Sequence, residues 1–120
     1  AIALLEQVVT DRERTLGPDH PATLTSRNNL ADAYRDAGRI QEAIALLEQV
    51  VTDRERTLGP DHPATLTSRN SLASTHQTTG DRSRAIELYE ENLAEAQRIL
   101  ESDHPKIAEY RNTLVQAQDQ

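Results

Sequence analysis

The chain has 120 residues, of which 36% are hydrophobic, with three tyrosines and no phenylalanine or tryptophan. This composition supports one modest domain with an aliphatic core, and the absence of cysteine excludes disulfides and fits a reducing cytoplasm. The net charge of −7 disfavours nucleic acid as a partner, and no apolar run reaches the roughly 20 residues that a membrane-spanning helix needs.

The chain contains an internal repeat. Residues 1–28 recur without a single change as residues 43–70, which sets a period of 42 residues, and a looser third copy starts at Ala85. Repeats of this length stack one supersecondary unit on the next, and each unit buries an apolar face that it could not bury alone. We therefore expect one repeat domain over residues 1–120, with units 1–42, 43–84 and 85–120, as a fragment of a longer array.

The first unit has the pattern of two amphipathic helices. From Ala1 to Leu16, apolar residues recur at spacings of three and four, which predicts a helix that ends at Gly17 and Pro18. A second helix is predicted from Pro21 to about Ala37, with proline at its first position, where the missing N–H costs nothing.

Four more helices follow from the same signals, and no strand pattern occurs. Their predicted bounds are Ile40–Leu58, Pro63–Thr79, Asp81–Leu100 and Pro105–Gln118. The link through Gly38 and Arg39 is so short that the helices on either side must pack antiparallel. The third unit replaces Gly-Pro of the turn with Glu101-Ser102 and ends in a polar run, as expected of a capping repeat. The predicted fold is an all-α, right-handed solenoid of six antiparallel helices.

The residues around the second and third helices resemble the tetratricopeptide pattern, in which small residues let two helices approach closely. The matching positions are Leu30, Ala31, Tyr34, Gly38, Ile40, Ala43 and Leu47. The 42-residue period, with Leu-Gly-Pro-Asp-His-Pro and Asn-Asn-Leu-Ala, resembles in particular the repeats of kinesin light chains and their bacterial relatives. The resemblance implies a protein-binding scaffold with a groove, in the setting of a larger bacterial signalling protein.

The chain departs from those relatives at positions that bear on the ligand. Arginine stands before the Asn pair, at Arg27, Arg69 and Arg111, where the relatives usually carry an apolar residue. The Tyr34 position becomes His76 in the second unit. The resemblance therefore implies a groove, without implying that the family's known peptide ligands fit it.

Histidine recurs at 42-residue intervals as His20, His62 and His104, which suggests a metal column. Neighbouring packed helices lie about 8–10 Å apart, however, and one zinc ion needs every ligand nitrogen at about 2.0–2.1 Å. We interpret Asp-His-Pro as a turn with a helix cap, and expect no metal and no cofactor. Ser26 and His20 occupy fixed places in the repeat, and no phosphate loop or nucleophile elbow occurs, so we expect no enzyme.

The best candidate site is a set of polar residues on the helices expected to line the concave side. Its predicted ligand-binding residues are Arg27, Asn28, Asp32, Arg35, Arg69, Asn70, Arg111 and Asn112. Arginine offers planar donors for carboxylates, and asparagine can pair with the amides of an extended peptide. The competing interpretation is structural, with Asn28 bonded to a neighbouring helix and the methylenes of Arg27 covering the core.

We therefore predict a non-enzymatic scaffold that binds a peptide or protein segment on its concave face. The alternative is a structural module that stacks end to end. In the first helix, Ile2, Leu5 and Val9 are the equivalents of residues expected to pack on a preceding helix, so we expect head-to-tail self-association through them. Neither prediction involves nucleic acid or a membrane.

Overall fold

The structure is a computed structural model that describes residues 2–100 and 103–119. These residues form six helices and no strand, which confirms the predicted all-α repeat fold. The helices are α1 (Ile2–Leu16), α2 (Pro21–Asp36), α3 (Ile40–Leu58), α4 (Pro63–Thr79), α5 (Arg82–Ile99) and α6 (Pro105–Gln118). Predicted and observed ends agree to within one residue, while Ala1 and the Glu101-Ser102 turn lie outside the described residues. None of these helices has the length and apolarity needed to cross a membrane.

The Asp-His-Pro segments begin α2, α4 and α6 as predicted, and the histidine is the capping residue. The Nδ1 atoms of His20 and His62 each accept a hydrogen bond from the backbone N–H two residues later, at 3.0 Å. Gly59 ends the preceding helix at a φ of +100°, a conformation that L side chains rarely adopt, and its carbonyl accepts from the hydroxyl of Thr65 at 2.9 Å. The turn and the cap together fix where each of these helices starts.

The helices pack in chain order, each against the next, and α2 also contacts α4. We call α2, α4 and α6 the inner helices and α1, α3 and α5 the outer helices. Between α3 and α5 a cleft of about 210 Å³ opens over Leu72 of α4. Because α2 and α4 touch while a cleft separates α3 from α5, we assign the inner helices to the concave side.

The exposed side chains of the inner helices form a surface that we call the inner face. Its members are Thr25 and Asn29 on α2, Thr67 and Thr78 on α4, and Glu109, Asn112 and Gln116 on α6. Along each helix they are separated by 3, 4, 7 or 11 residues and thus share one side of it. On the opposite side of α2 and α4, fully buried Ala31 and Ala73, together with fully buried Ala43 and Ala85 on the outer helices, let successive helices approach closely.

A buried arginine joins three helices in the middle of the stack. Arg54 of α3 donates to the carbonyl oxygen of Ala64 at 2.8 Å, to Oγ of Ser68 at 2.7 Å and to Oγ1 of Thr25 at 3.1 Å. No carboxylate among the described residues pairs with it, and burial lowers the pKa of Arg54. Neutral oxygens of α2 and α4 thus hold this cation in place.

The third unit replaces this polar contact with an apolar one. The positions of Arg54 and Ser68 become Ala96 and Tyr110, and both replacements are buried. They belong to one cluster with Leu66. Burial raises the pKa of the Tyr110 hydroxyl, which also interacts with Thr67, the equivalent of the Thr25 that Arg54 reaches. A large and a small residue have exchanged helices, so the gap between the helices stays filled.

Candidate functional site

Arg27 is the first of the three arginines that recur at equivalent positions and were predicted to bind a ligand. It is held within the fold. Its guanidinium forms an ion pair with Glu13 of α1 and lies 3.5 Å from Oδ2 of Asp53 on α3. It also donates to the carbonyl oxygen of Pro18 at 3.2 Å. Arg27 therefore connects its inner helix to the outer helices on both sides. A contact between Arg27 and a ligand stays a prediction.

Arg69 has the same role in the second unit, with different partners. It donates to Oε2 of Glu55 on α3 at 2.9 Å and to Oδ1 of Asn92 on α5 at 3.3 Å. Asn92 is fully buried and donates in turn to the carbonyl oxygen of Leu66 at 2.7 Å. This chain of hydrogen bonds fixes α5 against α4. Ligand contact by Arg69 likewise stays a prediction.

Arg111 and Asn112 lie exposed on α6. They are the equivalents, in the third unit, of Arg27 and Asn28. The glutamate that pairs with the first two arginines is replaced by Gln97 in this unit. No outer helix covers α6 on this side within the described residues. The three arginines therefore share a sequence position but have different surroundings.

Asn28 and Asp32 lie together where α2 meets α4. Asn28 is only 6% exposed, and its Nδ2 donates to Oδ2 of Asp32 at 3.3 Å. Oδ1 of Asn28 and Oδ1 of Asp32 are both buried and accept no hydrogen bond from the described residues. Arg35 lies 3.7 Å from the same Asp32 oxygen, which is an ion pair at long range.

Burial dominates the electrostatics of Asp32. It raises the pKa of the carboxyl, and the opposing influence of nearby Arg35 is smaller. The side chain of Ser71 on α4 lies beside this carboxyl and also helps to lower its pKa. Ser71 was not among the predicted site residues. The sequence signal for it was weak, because the contact arises only when successive inner helices touch.

Asn70, the equivalent of Asn28 in the second unit, also has a buried Oδ1 that accepts no hydrogen bond from residues 2–100 or 103–119. At the position of Asp32, this unit has Ser74. Of the predicted site residues, the structure thus brings Asn28, Asp32 and Arg35 together. Asn70 repeats the amide without the carboxylate. Within the described ranges, no group of His, Asp or Glu side chains is arranged to hold a metal ion.

A second candidate surface is the side of α1 that α2 does not cover. Leu4 is 71% exposed and Val8 37% exposed, whereas Val50, which occupies the place of Val8 in the identical second copy, is fully buried. The predicted residues Ile2, Leu5 and Val9 instead pack against α2, so their assignment to the uncovered surface was wrong. The stripe formed by residues 2, 5 and 9 faces α2, and residues 4 and 8 form the adjacent stripe.

The family profile described as tetratricopeptide repeat matches residues 1–22, 23–64 and 65–106 of this chain. A search of curated proteins found no match. Among solved structures, the chain is similar to a crystal structure described as nearly identical TPR-like repeats of a putative kinesin light chain from Podosopora anserina. The two share 40% sequence identity at a TM-score of 0.88, over 97% of this chain and 55% of that one.

A substituted form of the same Podosopora anserina protein gives 40% identity and a TM-score of 0.87, with the same coverage of 97% and 55%. BtubC (BKLC) from P. vanneervenii is 17% identical at a TM-score of 0.89, over 98% of this chain and 47% of that one, which is a likeness of fold. The chain spans about half the length of these structures. The predicted likeness to kinesin light chain repeats is confirmed, and the chain belongs to the tetratricopeptide repeat family.

Proposed function

We propose that this chain is a non-enzymatic scaffold that binds a peptide or protein segment along its inner face. Tetratricopeptide repeats in general mediate protein interaction and assembly. The observation that carries the proposal is the set of buried, unpartnered side-chain oxygens on successive inner helices, on Asn28, Asp32 and Asn70. Buried acceptors are normally satisfied, so a run of unsatisfied ones favours a ligand that donates hydrogen bonds.

The predicted site residues divide into two groups in this proposal. Asn28, Asp32, Arg35 and Asn70 contact the ligand directly, joined on α6 by Arg111 and Asn112. Arg27 and Arg69 position the inner helices, since their guanidinium groups are already paired with carboxylates of the same chain. We place the protein in the cytoplasm on the absence of cysteine, with no cofactor.

Selection of binding peptides from a displayed library tests the proposal. The paired substitutions Asn29→Arg and Thr67→Arg put two bulky cations on the inner face, and we expect them to weaken a selected peptide by at least about tenfold, or about 1.4 kcal/mol. Thr52→Arg is the control, because Thr52 is exposed on outer helix α3. Equal loss in both variants, or loss in the control alone, would contradict binding on the inner face.

As a second candidate function, we propose that the chain associates with copies of itself through α1. The exposed leucine and valine at positions 4 and 8 favour this, because the same residues in the identical second copy are covered by an inner helix. The occupant we propose is α6 of another copy, which exposes Val115. Such a contact joins unlike surfaces and would propagate head to tail.

A further inference from the structure

We propose that the junction between α2 and α4 binds a primary ammonium group, the side chain of a lysine in an extended peptide, through Asn28, Asp32 and Ser71. The inference rests on the proposed function and specifies the chemistry of its ligand. This cationic ligand differs from the carboxylate ligand that the recurring arginines Arg27, Arg69 and Arg111 suggested.

The hydrogen-bonding capacity of the junction is one-sided. The unpartnered atoms there, Oδ1 of Asn28 and Oδ1 of Asp32, are both acceptors. The amide of Asn28 is oriented by its bond from Nδ2 to Asp32 at 3.3 Å, which uses one of its two N–H donors while its acceptor stays open. A ligand group that donates satisfies both open oxygens, whereas a carboxylate would leave both unsatisfied and place a second negative charge beside Asp32.

The charge of the junction also favours a cation. Asp32 has a side chain only 33% exposed, and its nearest cation, Arg35, is 3.7 Å away and shared with Asp36 at 3.4 Å. Burial raises the pKa of the Asp32 carboxyl despite Arg35, so the carboxylate is under-compensated. A second positive charge beside Asp32 therefore stabilises its ionised form.

The geometry distinguishes ammonium from guanidinium. Guanidinium groups pair best with both oxygens of a carboxylate at once, in a planar fork. At Asp32, Oδ2 already accepts from Asn28, so a fork on both oxygens is not open, and the oxygen without a hydrogen bond among the described residues is Oδ1, 3.7 Å from Arg35. A compact ammonium with three donors matches this oxygen, the amide oxygen of Asn28 and the hydroxyl of Ser71.

The second unit supplies a natural comparison. It keeps the unpartnered amide oxygen at Asn70 but has Ser74 in place of the carboxylate. The surroundings of Asn70 should therefore bind an ammonium weakly. Ser74→Asp would restore the carboxylate, with the hydroxyl of Thr113 at the position of Ser71, and give a gain of binding that a merely structural role for Asn28 and Asp32 does not predict.

The test uses nuclear magnetic resonance on the ¹⁵N-labelled chain with two capped peptides, identical except for one lysine replaced by norleucine. We expect the lysine peptide to shift the side-chain amide signals of Asn28 and to bind at least about tenfold more tightly than its twin, as for a charge-assisted contact. Asp32→Asn, which keeps the shape of the side chain, should abolish the difference. Ser74→Asp should add shifts at the amide of Asn70.

Each other outcome overturns the inference. If both peptides shift inner-face signals of Thr25, Asn29 and Thr67 equally, the lysine site is wrong while peptide binding on the inner face stands. If neither peptide shifts the Asn28 amide, the ammonium site does not exist, and the proposed function is judged by the displayed library alone. If sodium chloride at the same ionic strength shifts the Asn28 amide as the lysine peptide does, the junction is a general cation site.

Discussion

Arg54 and Ser68 of the second unit correspond to Ala96 and Tyr110 of the third, and the two pairs fill the same place between an outer and an inner helix. The arginine reaches Thr25, and the tyrosine interacts with the equivalent Thr67. In the sequence, this exchange is visible as a paired change between the second and third units. It can be interpreted only when it is known that the two positions touch. The first two units hide it, because residues 1–28 and 43–70 are identical and show no paired changes.

This exchange predicts a rescue. Arg54→Ala should lower the free energy of unfolding by about 1–3 kcal/mol, because Ser68 and a backbone carbonyl lose a buried donor. Ser68→Tyr alone should cost about 1–3 kcal/mol by overpacking beside the arginine. The double variant should be more stable than the sum of the two changes predicts, as measured by urea unfolding. Additive losses would show that the pairs are not equivalent.

The raised pKa of Asp32 predicts a pH dependence of stability. The folded pKa lies above the unfolded value of 3.8, so the native state binds the proton more strongly, and this group's contribution to stability is lost as pH rises through that window. Asp32→Asn removes the titrating carboxyl and therefore this pH-dependent loss of stability. We therefore expect the stability of the variant, relative to the parent chain, to increase from about pH 4 to pH 7. Urea unfolding at several pH values measures this, and a constant difference would contradict it.

At the scale of elements, most helix ends could be predicted because local chemistry sets them. Gly59 turns the chain where other residues would be strained. Pro63 begins the next helix at a position where a backbone N–H would have no partner within the helix. The partners of Arg27 and Arg69 could not be predicted in this way. An arginine side chain is long, and whether it points to a groove or to carboxylates of neighbouring helices depends on how three helices are placed.

The imidazole cap gives a test at this scale. His62→Ala should cost about 0.5–2 kcal/mol, because the N–H of Ala64 loses its acceptor at the start of α4. His62→Asn should retain most of the stability, since asparagine is a good N-cap residue. Thermal unfolding followed by circular dichroism compares the two variants. If both lose the same stability, the imidazole stabilises the turn by some other contact.

At the scale of the whole molecule, repetition makes identical sequences differ in structure. Residues 1–16 and 43–58 are the same, yet Val8 is partly exposed and Val50 is fully buried. No propensity or periodicity distinguishes the two copies, because the difference comes from the helix that packs on the second copy. The sequence therefore predicted that part of α1 would be uncovered but assigned it to the wrong stripe.

This surface predicts self-association. Burying a leucine side chain is worth about 1.5–3 kcal/mol, so the exposed Leu4 and Val8 should promote concentration-dependent assembly of the chain. Leu4→Glu with Val8→Glu should reduce it, and Thr52→Glu on α3 should not, although it adds charge of the same sign. Sedimentation equilibrium over a range of concentrations measures the effect. A monomer at every concentration would contradict the contact.

Binding of ligands on the inner face is tested most directly by a spin label on a selected peptide. A label at the middle of the peptide broadens the amide signals of nearby residues in the ¹⁵N-labelled chain. We predict strong broadening at inner-face residues Asn29 and Thr67 and little at Thr52 and Glu90, which are exposed on outer helices. Broadening centred on the outer helices, with the inner-face signals unchanged, would contradict binding on the inner face.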